Sequence, residues 1–175
     1  MIKIGQPAPE FTLQGIQNGK VSEYSLGKQK GRWTVIFFYP LDFTFVCPTE
    51  INGFNRQFDD FKKAKADIWG VSVDSVHSHK AWIEKDFKSL KFPLLSDFNK
   101  EVIKEYEIDI EEPEGTVALR ATFIIDQKGI VRYSVISDNN VGRSVEETRR
   151  VLQALQTGGL CPVEWEPGEK LLSGK

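Results

Sequence analysis

Short apolar runs along the chain alternate with longer segments whose apolar residues recur at helical spacing. Residues 33–39 form a nearly continuous apolar run rich in Val, Ile and Phe, ended by Pro40. The run is too short for a helix and predicts a strand buried on both faces. Between residues 48 and 66, Ile51, Phe54, Phe58 and Phe61 recur at steps of three and four, one face of an amphipathic helix. Residues 67–73 predict a second buried strand, 75–87 a helix carrying Trp82, 92–95 a short strand ending at Ser96-Asp97, and 99–108 a further helix. Residues 121–125 and 130–136 predict strands joined by Asp126-Gln-Lys-Gly129. On the second, Val131, Tyr133 and Val135 alternate with Arg132 and Ser134, so one face is expected inside and the other in solvent. Ser144 with Glu147 has the form of a capping box. The helix it opens carries Val145, Val151, Leu152 and Leu155 and ends near Gly158-Gly159. Upstream, 11–13 and 21–26 are weak strands around an Asn18-Gly19 turn.

The resulting order is strand, helix, strand, helix, strand, helix, hairpin, helix. It predicts an α/β fold with a central mixed sheet flanked by helices, an N-terminal hairpin and a C-terminal tail extension. A thioredoxin-like fold fits this order; a doubly wound open sheet is the alternative. No linker, repeat or low-complexity block divides the 175 residues. Residues 1–157 are expected to form one domain, and 158–175 a tail belonging to the same structural unit.

Charge and composition narrow the function. Lys plus Arg number 23 against 25 Asp plus Glu, a net charge of −2, which argues against nucleic acid or an anionic membrane surface as partner. The longest apolar run, 35–39, is far below the ~18 residues of a membrane span, and no long apolar stretch opens the chain. A cytoplasmic location is the expectation. There are two cysteines, which excludes a disulfide-rich scaffold and a four-cysteine zinc site. A reactive thiol, a redox pair or two inert core cysteines remain open. Cys47 follows a loop leaving a buried strand and precedes Pro48, a residue suited to the first helical position. Its sulfur is thus expected at a helix N-terminus, where free N–H groups and the helix dipole favour an anion. The residue reads equally as a small buried hydrophobe. Thr44 offers a hydroxyl in the same loop. Glu50, one turn into the helix, would repel a thiolate unless it holds a cation, or else it simply complements the dipole.

The segment Pro40-Leu-Asp-Phe-Thr44-Phe-Val-Cys47-Pro48-Thr49-Glu50 resembles the active-site segment of the typical two-cysteine peroxiredoxins, the peroxidase component of bacterial alkyl hydroperoxide reductase among them. The likeness continues through Gly70-Val-Ser-Val-Asp74, His79-Lys-Ala-Trp82, Arg120-Ala-Thr-Phe-Ile-Ile-Asp126, Val141-Gly-Arg-Ser-Val-Glu146 and Leu160-Cys161-Pro162, essentially the whole chain. It implies a thiol peroxidase acting on hydrogen peroxide and organic hydroperoxides without a cofactor. Cys47 would be the peroxidatic cysteine, oxidised to a sulfenic acid. Arg120 would stabilise the sulfur anion and the peroxide oxygens; from the residues alone it reads as a solvated strand-end charge. Thr44 would hydrogen-bond substrate and sulfur, Pro40 would shield the pocket, and Glu50 and Arg143 would support Arg120. Cys161 would be the resolving cysteine, forming an interchain disulfide in a head-to-tail homodimer. A thioredoxin or a dedicated flavoprotein disulfide reductase would then reduce it. Dimers would assemble into a ring, a decamer, with residues 74–79 near that contact. The short 87–92 stretch and the tail lack the insertions of hyperoxidation-sensitive members, which implies resistance to overoxidation.

Other readings are weaker. His77 and His79 do not share a helical face and have no third ligand at metal spacing, so no metal is expected. No phosphate-binding loop occurs. A cysteine protease needs a positioned base for Cys47. A thiol–disulfide oxidoreductase lacks its Cys-x-x-Cys pair, and a ring-forming holdase or redox-signalling role is compatible with catalysis.

Overall fold

The computed structural model describes residues 2–172. The chain runs β1 (Thr12–Gln17), β2 (Lys20–Ser25), β3 (Trp33–Phe38), α1 (Cys47–Lys63), β4 (Ala66–Ser72), α2 (Val76–Trp82), β5 (Leu94–Ser96), α3 (Glu101–Glu105), β6 (Asp109–Glu112), β7 (Gly115–Ala118), β8 (Arg120–Ile125), β9 (Val131–Ser137) and α4 (Val145–Thr157). In β3 successive side chains leave on opposite faces, and both faces are covered. Ile36 and Phe38 enter a core with Trp69, Val71, Tyr106 and Phe123. Val35 and Phe37 enter the opposite core with Ile51, Phe54, Trp82 and Leu152. This is the packing that the unbroken apolar run predicts.

Seven strands form one sheet in the order β2-β1-β5-β4-β3-β8-β9. Only β3–β4 and β4–β5 are parallel; the remaining neighbours are antiparallel. The sheet is therefore mixed, as a thioredoxin-like fold requires. A doubly wound parallel sheet is excluded by β8 and β9. Residues of α1, α2 and α4 cover one face, while Val102 and Ile103 of α3 pack into the core on the other. The Asn18-Gly19 turn has positive φ at both residues, 51° and 74°, matching the right-handed twist of the β1–β2 hairpin.

Several boundaries differ from the sequence reading, each for a local reason. The first helix stops at Lys63, because Lys65 turns left-handed (φ 54°) to start β4. The helix predicted over 75–87 is α-helical only to Trp82; residues 83–87 form a wider π turn, and Lys88 takes φ 63°. The helix predicted over 99–108 shrinks to α3. Its start is fixed by the buried Asp97 carboxylate, which accepts from the backbone N–H of Glu101, Val102 and Ile103. Burial pushes the Asp97 carboxyl up, against the pull of these three donors. At α4 half of the capping box forms: Ser144 Oγ accepts from Glu147 N–H at 3.1 Å, but the Glu147 side chain turns to Arg150. On β9 the alternation is shallower than predicted, with Tyr133 and Val135 only half-buried. The sequence reading also missed the separate β6–β7 hairpin.

Gly70 lies opposite Phe37 in the β3–β4 register. A Cβ there would stand 2.7 Å from Phe37 Cζ and 2.8 Å from Leu94 Cδ2. Gly70→Ala is expected to lower the unfolding free energy by about 1–3 kcal/mol through overpacking. A urea midpoint equal to wild type would refute that reading of the contact.

Candidate active site

The antiparallel β3–β8 register pairs Phe38 with Ala121. The end of β3 and the start of β8 therefore lie side by side at one edge of the sheet. From β3 the chain passes through buried Tyr39 and Pro40 into the loop 41–46, then enters α1 at Cys47. Cys47, rather than Pro48, is the first helical residue, and Pro48 is the second. The consequence for the sulfur is unchanged, because the early N–H positions of a helix are unpartnered in either case. Val46, the residue before the helix, provides no side-chain cap.

The loop is held from beneath by a buried polar network. The Asp42 carboxylate contacts Tyr39 Oη at 2.9 Å, Ser78 Oγ at 2.8 Å and His79 Nδ1 at 2.8 Å. His79 Nε2 faces Leu95 O at 3.1 Å, and a carbonyl only accepts, so that nitrogen carries a hydrogen. Asp42 N–H donates to the Asp74 carboxylate at 2.9 Å. Burial pushes the Asp74 carboxyl up, and the neighbouring Asp42 charge adds to this. Burial likewise raises the Tyr39 phenol well above its usual range. His79 is buried and tied into this network while His77 is exposed, so the two do not converge.

Arg120 opens β8 and is 3% exposed, which corrects its reading as a solvated strand-end charge. Its Nη1 lies 3.3 Å from Cys47 Sγ and 2.8 Å from Glu50 Oε2, and its Nε donates to Asn139 O at 2.9 Å. Arg143 meets Glu50 from the other side. Its backbone N and its Nε each donate to Oε1 at 2.8 Å, and its Nη2 donates to Oε2 at 2.7 Å. A further Nη1 bond, 2.6 Å to Ala121 O, locks Arg143 to β8. The Glu50 carboxyl feels burial, which raises its pKa. The Arg143 hydrogen bonds and the two guanidinium charges outweigh that and hold it below its ordinary 4.5. One carboxylate thus faces two guanidiniums, leaving one unit of buried positive charge beside the Cys47 sulfur.

A cavity of about 260 Å³ opens above this cluster, lined by Pro40, Thr44, Val46, Glu114, Arg120 and Asn139 among others. Cys47 itself is fully buried just behind that floor. Thr44 Oγ1 donates to Leu41 O at 3.0 Å. The structure therefore gathers Pro40, Thr44, Cys47, Glu50, Arg120 and Arg143 around one point. Cys161 lies elsewhere, past the end of α4, with its Sγ 3.7 Å from Ala154 O; both thiols are free. Among the described residues, no group of three or more His, Cys, Asp or Glu is placed to hold a metal ion. Sequence reasoning missed Asn139 and the Asp42–His79 pair, whose members are too far apart in the chain to leave a local pattern.

The chain is similar to known proteins over most of its length. Residues 4–134 match the model of the AhpC/TSA family. A Clostridium pasteurianum protein of a rubredoxin operon, itself described as a peroxiredoxin, is 52% identical over 173 residues, covering 95% of this chain and 96% of its own length. The reduced 2-Cys peroxiredoxin of Plasmodium vivax superposes with a TM-score of 0.89 at 34% identity, covering 96% of this chain and 91% of that one. AhpC of Mycobacterium bovis gives 0.83 at 36%, covering 95% and 99%.

Glu50→Gln leaves two buried guanidiniums without a counter-charge and is expected to cost about 3–5 kcal/mol of stability at pH 7. Because the Glu50 pKa is depressed in the folded state, its contribution is full above about 4.5 and is lost as pH falls through the folded value. Wild type should therefore lose stability between neutral and strongly acidic pH more steeply than Glu50→Gln. Parallel unfolding curves across that range would contradict the assignment.

Proposed function

This chain belongs to the AhpC/TSA family of peroxiredoxins, which are thiol peroxidases, and from that premise we propose how its own residues perform the reaction. One observation carries the reading: Arg120 Nη1 stands 3.3 Å from the Cys47 sulfur while Glu50 and Arg143 hold it in place. The Cys47 thiolate attacks the terminal peroxide oxygen. The S–O bond forms, the O–O bond breaks, and the leaving oxygen takes a proton to give water or an alcohol. Cys47 is left as a sulfenic acid. Arg120 faces the charge developing on the oxygens, a preorganised contact in a water-poor pocket. Thr44 supplies hydroxyl contacts to the substrate from the cavity wall, and Pro40 closes the pocket against water.

Cys161 of the partner subunit then condenses with the sulfenic acid, giving an interchain disulfide and water. A thioredoxin or a dedicated flavoprotein disulfide reductase returns two electrons by thiol–disulfide exchange. The buried Cys47 must leave its site for this. Unwinding the first turn of α1 breaks the bonds that Thr49 N–H and Glu50 N–H make to Val46 O, at 3.0 and 3.4 Å, and the bond that Thr49 Oγ1 donates to the same carbonyl at 2.6 Å. Peroxide substrates, a homodimer assembling into a decameric ring, resistance to overoxidation and a cytoplasmic location complete the reading. Among the described residues, no helix is long and apolar enough to cross a membrane.

One equivalent of hydrogen peroxide added to reduced protein should give a covalent dimer on a non-reducing gel in wild type, and none in Cys47→Ser or Cys161→Ser. Cys161→Ser should still consume one equivalent and Cys47→Ser none; consumption that survives in Cys47→Ser would overturn the assignment. Arg120→Met should slow the peroxide-dependent step by roughly 10²–10³-fold, measured by stopped-flow mixing, whereas a rate near wild type removes Arg120 from the mechanism.

A further inference from the structure

Cys161 sits at the base of a closed loop. After Gly158 ends α4 in a left-handed conformation, the chain leaves and returns, and Leu172 N–H donates to Leu160 O at 2.9 Å. Inside the loop Trp165 N–H reaches Pro162 O at 3.3 Å, and the indole N–H reaches Glu169 O at 3.1 Å. Glu166 N–H donates to the Glu169 carboxylate at 2.9 Å. A compact segment with adjacent ends and its own internal bonds is an Ω-loop.

Its apolar attachment to the domain rests on one side chain. Trp165 is buried, at 4% exposure, but Val163 and Leu160 are 90% and 62% exposed. A cavity of about 340 Å³ lies under the loop, lined by Arg132, Arg150, Ala154, Leu155 and Cys161 among others. Among the described residues, the polar contacts of the Cys161 sulfur are Thr157 Oγ1 at 3.6 Å and Ala154 O at 3.7 Å. Among the described residues, the remaining polar links from the loop converge on Arg150: its Nη1 donates to Trp165 O at 3.0 Å, and the Glu166 charge also acts on its guanidinium. Glu147 clamps the other edge of that guanidinium bidentately, through Nε at 2.6 Å and Nη2 at 2.8 Å. The fork is thus already oriented when it meets the carbonyl.

We propose that Arg150 is a positioning residue for the resolving step: a latch, aimed by Glu147, whose release from Trp165 O frees the loop that carries Cys161. This rests on the reading of Cys161 as the resolving cysteine. In that step the Cys161 thiolate attacks the sulfenic sulfur, the S–S bond forms, the S–O bond breaks, and the departing hydroxide takes a proton to become water. No outside oxidant or reductant is needed. The loop must part from α4 first, so the latch sets how long the sulfenic acid waits. A second peroxide competes during that interval and carries Cys47 to the sulfinic acid.

Stopped-flow tryptophan fluorescence of reduced full-length protein mixed with hydrogen peroxide tests this in wild type, Arg150→Met, Arg150→Lys, Glu147→Gln and Cys161→Ser. The peroxide-dependent phase should stay within about twofold in the Arg150 and Glu147 variants, since neither residue touches the Cys47 cluster. The peroxide-independent disulfide phase should quicken about tenfold in Arg150→Met, the scale of one charge-assisted hydrogen bond. It should quicken less in Glu147→Gln and return toward wild type in Arg150→Lys. The sulfinic fraction at excess peroxide, read by mass spectrometry, should fall in step. A disulfide phase that is unchanged or slower in Arg150→Met overturns the latch. So does a lowered thermal midpoint with an unchanged split between disulfide and sulfinic acid, because that is what a purely structural role produces. A covalent dimer persisting in Cys161→Ser instead overturns the resolving assignment, and the latch falls with it.

Discussion

Glu50 binds together three parts of the chain that are remote in sequence: the start of α1, the start of β8, and the turn that leads into α4. Its two oxygens take four donors from Arg143 and Arg120. Removing so many charges from water is costly, and a buried ion pair is poor evidence of net stability. What the arrangement provides is definition. With every lone pair occupied and both guanidiniums also bound to backbone carbonyls, few other placements satisfy the same groups. The position of Arg120 over the sulfur follows from that constraint.

The sheet makes the constraint possible. Because β3 and β8 are antiparallel neighbours, the exit of one and the entry of the other share an edge. The loop leading to Cys47 and the residue bearing the cation are then adjacent without any long excursion of chain. Below them, Asp42 and His79 fasten the same loop to α2 and β5. The sulfur is therefore placed by two independent polar networks, one on each side of the loop. A cavity of about 260 Å³ opens above it.

Much of this was legible beforehand where the physics is local. The strand at 33–39, the phenylalanine face of α1, the Asn18-Gly19 turn and the start and end of α4 all express periodicity or turn chemistry over a few residues. Cys47 at a helix start was readable from the Cys-Pro step. Arg120 was not readable from its neighbours, since burial of a strand-end arginine depends on partners seventy and more positions away; only likeness to a known segment pointed to it. The β6–β7 hairpin was invisible because its strands are only four residues each, β6 is mostly acidic, and β7 carries just two β-branched residues, Thr116 and Val117. Helix ends slipped where a single left-handed residue or a distant carboxylate, such as Asp97, decided the boundary.

Phe37 belongs to two systems at once. Its ring stacks on Phe54 at 4.3 Å and meets Phe92 and Tyr39 in the core, and the Arg143 guanidinium lies 5.5 Å from its centroid. Interior packing and the charge cluster thus share a wall, and neither can be retuned alone. A lineage adapting this protein to heat or cold by repacking its interior is bound to leave this ring nearly untouched and to make its changes on the far face of the sheet. Variation among relatives should accordingly be lopsided across the sheet.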